Sequence, residues 1–157
     1  MLKIQILDDR LDASMLKPAT KGSAAIDLRA CISNTLVLGA GKQLPIPTGL
    51  SVAIDKLHVG KLYPRSGKGL KGLVLGNLTG VIDSDYRGEI IVVLWNRNLS
   101  RSITVEPMDA IAQFVVQTHY DYSKMKIIGA DEQLDKTTRG KGGFGSTDKV
   151  VEPPGDE

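Results

Sequence analysis

IIVVLW, residues 90–95, is an unbroken apolar run made mostly of β-branched side chains. It is too short for a buried helix and has the composition of a strand covered on both faces. IAQFVV, residues 111–116, reads the same way. Elsewhere the apolar residues alternate with polar ones. Leu2, Ile4 and Ile6 form one such set, Leu50, Val52 and Ile54 a second, Ile103 and Val105 a third. This period of two predicts half-buried strands. Turn-forming residues interrupt the chain at 39–41, 45–49, 67–72, 88 and 96–98. No long amphipathic helix is visible. The best short helix lies near 66–72, and its glycines weaken it. Many short strands and frequent turns predict an all-β fold, a jelly-roll-like β-sandwich or barrel.

A chain of 157 residues with 41% hydrophobic residues is long enough to bury one core without staples. The formal net charge of +2, with no basic run, argues against a general polyanion binder, so direct nucleic-acid binding is not expected. Cys31 is the sole cysteine, which rules out an intrachain disulfide and fits a reducing compartment. No apolar stretch approaches a membrane span, and MLKIQILDDR lacks the apolar core of a signal peptide. A cytoplasmic protein with no membrane association is expected. After Ile128 the composition turns to Gly, Asp, Lys and Pro. The expected organisation is a β-domain over 1–128 and a mobile C-terminal arm over 129–157.

Two stretches match the spacing G-x-G-x-x-G: Gly67, Gly69, Gly72 and Gly140, Gly142, Gly145. Neither lies between a strand and a helix, so neither reads as a dinucleotide fingerprint. PRSGKG, 64–69, still has the chemistry of an anion site. Arg65 can bind phosphate oxygens bidentately, Ser66 can donate a hydrogen bond, and Gly67 lets backbone N–H groups approach closely. The alternative is a surface turn with a solvated arginine. GVIDSDYRG, 80–88, carries Asp83 and Asp85. The two carboxylates share a side if the strand continues, which would suit a metal; otherwise they belong to a turn where one faces a ligand. Asp27 stands in the apolar run AAIDLRA and needs a partner or a hydrated ion, with Arg29 as a candidate partner. His58 and His119 lie in no zinc-type pattern. Cys31 reads as a buried cysteine and Trp95 as core.

Taken together, SAAIDLRA (23–30), YPRSGKGLKG (63–72), GNLTGVIDSDYRGEI (76–90), IAQFV (111–115) and RGKGGFGST (139–147) resemble the homotrimeric dUTPase family in order and rough spacing. The likeness spans nearly the whole chain. It implies a homotrimer that hydrolyses dUTP to dUMP and pyrophosphate with Mg²⁺. By resemblance, Asp83 is the catalytic residue, orienting the attacking water and touching the sugar 3′-hydroxyl. Tyr86 packs on deoxyribose and leaves no room for a 2′-hydroxyl. Asn77, Gly80, Val81, Ile82 and Ile91 belong to a hairpin that reads uracil. Arg65, Ser66, Gly67 and Gln113 meet the phosphates, and Asp27 holds Mg²⁺ through water. Arg139, Gly145, Ser146 and Thr147 form a phosphate-binding lid in which Phe144 stacks on the base. The glycines would let this lid fold over a site on a neighbouring subunit.

Two positions depart from the family pattern. Ala110 stands where Arg commonly begins the fourth stretch, and Asp148 follows Thr147 where Gly is usual. The competing readings are a related dCTP deaminase and a nucleotide-gated regulatory binding protein.

Overall fold

In the computed structural model, described over residues 1–143, the elements are almost all antiparallel strands. In chain order they are β1 (Lys3–Ile6), β2 (Ile26–Arg29), β3 (Leu36–Leu38), β4 (Gln43–Ala53), β5 (His58–Pro64), the short helix α1 (Ser66–Leu70), β6 (Leu73–Leu75), β7 (Gly80–Ile82), β8 (Glu89–Asn96), β9 (Ile103–Val105) and β10 (Ala110–Thr118). Two four-stranded sheets, ordered β1-β4-β8-β6 and β2-β10-β5-β7, share one core, and β3 pairs with β9 separately. The first sheet sends Ile46, Leu50, Leu73, Leu75, Ile90, Val92 and Leu94 inward. The second answers with Leu28, Leu62, Ala112 and Phe114. This is the expected sandwich, built from the inner half of each alternating strand.

The run at 90–95 departs from its reading. Along β8, Ile90, Val92 and Leu94 are buried, while Ile91 is 41% exposed and Val93 and Trp95 are half-buried. Pairing with β4 and β6 covers the strand's edges, not its outer face. The stretch is therefore covered on one face within this chain, and Trp95 is not in the core. β10 likewise buries Ile111, Ala112 and Phe114 and leaves Gln113 and Val115 half-buried. The apolar alternation of β1 buries little, since only Ile4 is partly covered. Residues 45–49 form no turn between strands. They lie inside β4, where the pairing with β8 slips between Pro47 and Ser51 and Gly49 takes φ +66°. A bulge with a left-handed glycine absorbs the slip.

The buried polar side chains Thr48 and Asn96 are paired. Thr48 Oγ1 donates to the Ile90 carbonyl at 2.7 Å. Asn96 Nδ2 donates to the Leu38 and Arg101 carbonyls at 2.9 and 2.8 Å. The Asn98 side chain reaches the Lys71 carbonyl at 3.0 Å and so ties the end of β8 to the turn after α1.

The chain divides into two compact units, Met1–Asp121 and Tyr122–Glu157. The first holds every strand among the described residues. The composition change at Ile128 falls inside the second. Its described part begins with a 3₁₀ turn at Tyr122–Lys124 and later closes a tight turn in which Gly140, at φ +53°, donates to the Thr137 carbonyl at 3.1 Å.

Candidate active site

A one-residue bulge in β10 builds the charged part of the site. Ala110 pairs with Arg29, but Ala112 pairs with Leu28, so the register slips at Ile111. Gln113 is thereby brought opposite Asp27, and on its other side opposite Tyr63 of β5. Cross-strand partners point to the same face, so Asp27 and Gln113 stand side by side on the outer face of the second sheet. Without the slip, Ala112 would face Asp27 and the glutamine would turn inward.

Arg65 follows β5 directly and reaches back over this pair. Its Nε donates to Asp27 Oδ1 at 2.9 Å. Asp27 thus pairs with Arg65 and not with Arg29, whose Nη1 donates to the Met108 carbonyl at 2.9 Å. Asp27, Arg29, Arg65 and Gln113 line a cleft of about 600 Å³ together with Lys17 and Val115. Arg29 Nε is buried there with no protein partner. The cleft thus gathers three cations around one carboxylate, a potential suited to an anionic ligand.

PRSGKG forms a real local structure. Ser66 opens α1, and the Gly69 N–H donates to the Arg65 carbonyl at 2.8 Å. Ser66 and Gly67 are exposed. A second, smaller cleft, about 380 Å³, is lined by Arg65, Gly67, Lys68, Lys71 and Thr104 among others. Lys68 Nζ meets Asp109 Oδ2 at 2.8 Å. Burial works to raise the Asp109 carboxyl. The Lys68 hydrogen bond, the Glu106 backbone N–H and the charges of Lys68 and Arg65 outweigh it, and the group lies below the ordinary carboxylate range. This pair clamps the phosphate-type turn to the start of β10. It escaped the sequence reading because its partners are 41 residues apart. Lys17 and the cleft role of Arg29 were missed for the same reason. Ala110 contributes its carbonyl, which lies 3.4 Å from Arg65 Nη1.

The hairpin residues form a second group. β7 pairs with β5 through Leu62↔Gly80, Lys61↔Val81 and Gly60↔Ile82. Gly80 and Ile82 face the core and Val81 stands outward, 60% exposed. A Cβ on Gly80 would lie 2.8 Å from Leu62 Cδ1, so the glycine is what lets β7 lie against β5. Asn77 and Leu78 turn the chain into the hairpin, with Leu78 at φ 62°. The strand ends at Ile82, so Asp83 and Asp85 lie in a turn and not on one strand face. The Tyr86 N–H donates to the Asp83 carbonyl at 3.1 Å, closing that turn. Tyr86 and Ile91 are exposed. None of residues 77–91 lines the Asp27 cleft. Within one chain the charged cleft and the hairpin are separate surfaces of the same sheet.

Arg139 belongs to the second unit, where its Nε donates to the Gly142 carbonyl at 3.0 Å. Phe144, Gly145, Ser146, Thr147 and Asp148 lie outside the described residues. Among the described residues no group of three or more His, Cys, Asp and Glu side chains could hold a metal. No helix among them is long and apolar enough to cross a membrane.

A family model described as dUTPase matches residues 12–148. A relative from Neisseria meningitidis, named deoxyuridine 5'-triphosphate nucleotidohydrolase, is 44% identical over 148 residues, covering 93% of this chain and 95% of that protein. The chain belongs to the dUTPase family. A protein of the same name from Idiomarina loihiensis is 45% identical over 148 residues, covering 92% of this chain and 95% of the relative. Among solved structures, the dUTPase of Staphylococcus bacteriophage 80alpha with dUPNHPP superposes with TM-score 0.79 at 24% identity, over 94% of this chain and 98% of that one. A variant dUTPase from phage phi11 of S. aureus, described for its coordination of a structural Mg(II) ion, superposes with TM-score 0.73 at 21% identity, over 86% and 99%. At that identity the two phage structures show that the dUTPase sandwich is shared.

Proposed function

We infer that the chain hydrolyses dUTP to dUMP and pyrophosphate. The observation that carries this reading is the cleft in which Arg65, Asp27 and Gln113 converge, in a chain of the dUTPase family. Arg65, with Ser66 and Gly67 of the adjoining turn, takes phosphate oxygens, and Gln113 donates a side-chain hydrogen bond beside them. Arg139, Gly145, Ser146 and Thr147 add phosphate contacts from the C-terminal arm, and Phe144 stacks on the base. Asn77, the backbone of Gly80, Val81 and Ile82, and Ile91 read uracil, because a wrong base edge would leave buried polar groups unpaired. Tyr86 packs against deoxyribose.

Asp83 orients a water and accepts its proton as the oxygen attacks the α-phosphorus. The bond from that phosphorus to the bridging oxygen breaks, and its electron pair leaves on pyrophosphate. Arg65 and Arg139 stabilise the charge that gathers there. A lone carboxylate fits a Mg²⁺ ion that arrives with substrate phosphates and keeps its waters, and does not fit an all-protein cage. Asp27 would hold that ion through water, and the ion would supply charge neutralisation on the phosphates.

The separate placement of cleft and hairpin supports a homotrimer, in which one copy's hairpin meets another copy's cleft. A cytoplasmic setting fits the lone cysteine. No observation favours the deaminase or the regulatory reading.

Pyrophosphate release measured from dUTP, dCTP, dTTP and UTP tests the proposal. Turnover of dUTP far above the other three is expected. Binding of dUTP without turnover would overturn it.

A further inference from the structure

Tyr86 is held from two sides by residues that carry none of the proposed chemistry. Its hydroxyl donates to the Glu89 backbone carbonyl at 2.9 Å. A Cβ built on Gly88 would stand 2.4 Å from Tyr86 Oη, 2.6 Å from Cζ and 3.0 Å from Cε2. Those separations are well inside van der Waals contact. The φ of Gly88 lies outside the left-handed region, so this position uses the missing side chain and not backbone freedom.

Glu89 is itself pinned. Its Oε1 accepts the Gly49 N–H at 2.7 Å, at the bulge of β4. Gly49 sits tightly there, because a Cβ on it would lie 2.7 Å from Asp8 Cβ and 2.8 Å from Cys31 Sγ. The next residue, Ile90, is fixed to β4 through Thr48. The carbonyl that holds the Tyr86 hydroxyl therefore stands on a rigid part of the first sheet, while the ring itself is 42% exposed.

We propose that Gly88 and Glu89 are positioning residues that set where the Tyr86 ring stands, and through it the preference for deoxyribose over ribose. The inference rests on the reading that Tyr86 packs on the sugar. Gly88 leaves room for the hydroxyl end of the ring against the backbone. The Glu89 carbonyl fixes that end, and the Glu89 carboxylate fixes that carbonyl. A ring held at its hydroxyl end by a rigid backbone cannot yield to a 2′-hydroxyl. A ring pushed off Gly88, or tied to a loosened carbonyl, can. The contact at Gly88 involves only an exposed side chain, so a methyl there moves the ring and leaves the fold intact.

The test compares kcat and KM for dUTP and for UTP, separately, in the parent protein and in Gly88→Ala, Glu89→Ala, Glu89→Gln, Tyr86→Ala and the Gly88→Ala/Tyr86→Ala double variant. Gly88→Ala should lower the dUTP-to-UTP ratio of kcat/KM by about tenfold, chiefly through a lower KM for UTP. Glu89→Ala should lower it in the same direction. Glu89→Gln keeps an oxygen that can accept the Gly49 N–H and should stay within about twofold of the parent. On the Tyr86→Ala background Gly88→Ala should add nothing. The proposal is overturned if Gly88→Ala and Glu89→Ala keep the parent ratio, if the Gly88→Ala loss persists without the tyrosine ring, or if Gly88→Ala fails to fold. A Tyr86→Ala variant with unchanged ratio would instead overturn the sugar-packing role of Tyr86, and this inference with it.

Discussion

Asp83 is the first residue beyond β7, exposed, with its backbone carbonyl engaged by Tyr86 and its side chain projecting from the turn. A carboxylate in that position can take a proton from water, and an amide of the same shape cannot. Asp83→Asn should therefore bind dUTP as the parent does and lose turnover by roughly 10²–10⁴-fold, measured as kcat beside a nucleotide titration. Turnover close to the parent's would remove Asp83 from the mechanism. Cys31 illustrates a residue whose chemistry the fold suppresses. Burial pushes its thiol up to about 11, and the nearby Asp8 carboxylate adds to the shift. The raised value means that folded protein holds the proton more tightly than unfolded chain. Stability from this group is full below the ordinary thiol value of 9.0 and declines as pH rises toward about 11. The expected result is slow alkylation of Cys31 at pH 8 in native protein and fast alkylation after denaturation. Both residues were singled out from sequence, but the half-buried setting of Cys31 beside Asp8 and Gly49 brings together distant parts of the chain.

At the scale of elements, β5 is the strand that joins the two halves of the site, pairing with β10 on one edge and β7 on the other. Its Gly60 faces the core, where a Cβ would stand 2.5 Å from Phe114 Cε2 and 3.0 Å from Ile54 Cδ1. Phe114 is packed and cannot swing away. Gly60→Ala should therefore destabilise the fold by about 1–3 kcal/mol, read as a lower midpoint in urea with an unchanged slope. A midpoint equal to the parent's would mean the core has room that these contacts deny. β1, the end of β4, β8, β9 and β10 were legible as apolar runs or alternation, and so was α1 despite its glycines, whereas β3, β5 and β6 are too short or too mixed to stand out. The face exposure of β8 was not. An uninterrupted apolar run carries no phase, so its sequence does not say whether the outer side of Ile91, Val93 and Trp95 is covered.

For the whole molecule, the half-covered outer face of β8 and the separation of cleft from hairpin belong together. On the proposed reading, a single chain presents the parts of a site without assembling them. Truncation before Arg139 should leave a folded core that sediments as a trimer, as the full chain is proposed to do, and should reduce dUTP turnover sharply. Equal turnover in the truncated protein would make residues 139–147 a tail and not a lid. The residue types of the site, their order along the chain and the alternating strands that carry them were set by the sequence alone, because side-chain chemistry and period-two patterning are local properties. Which of those residues meet was decided only by the tertiary structure. A single bulge at Ile111 turns Gln113 to Asp27, and Arg65 closes on Asp27 from the turn that follows β5. Register depends on pairing between distant segments, and no local pattern encodes a one-residue slip.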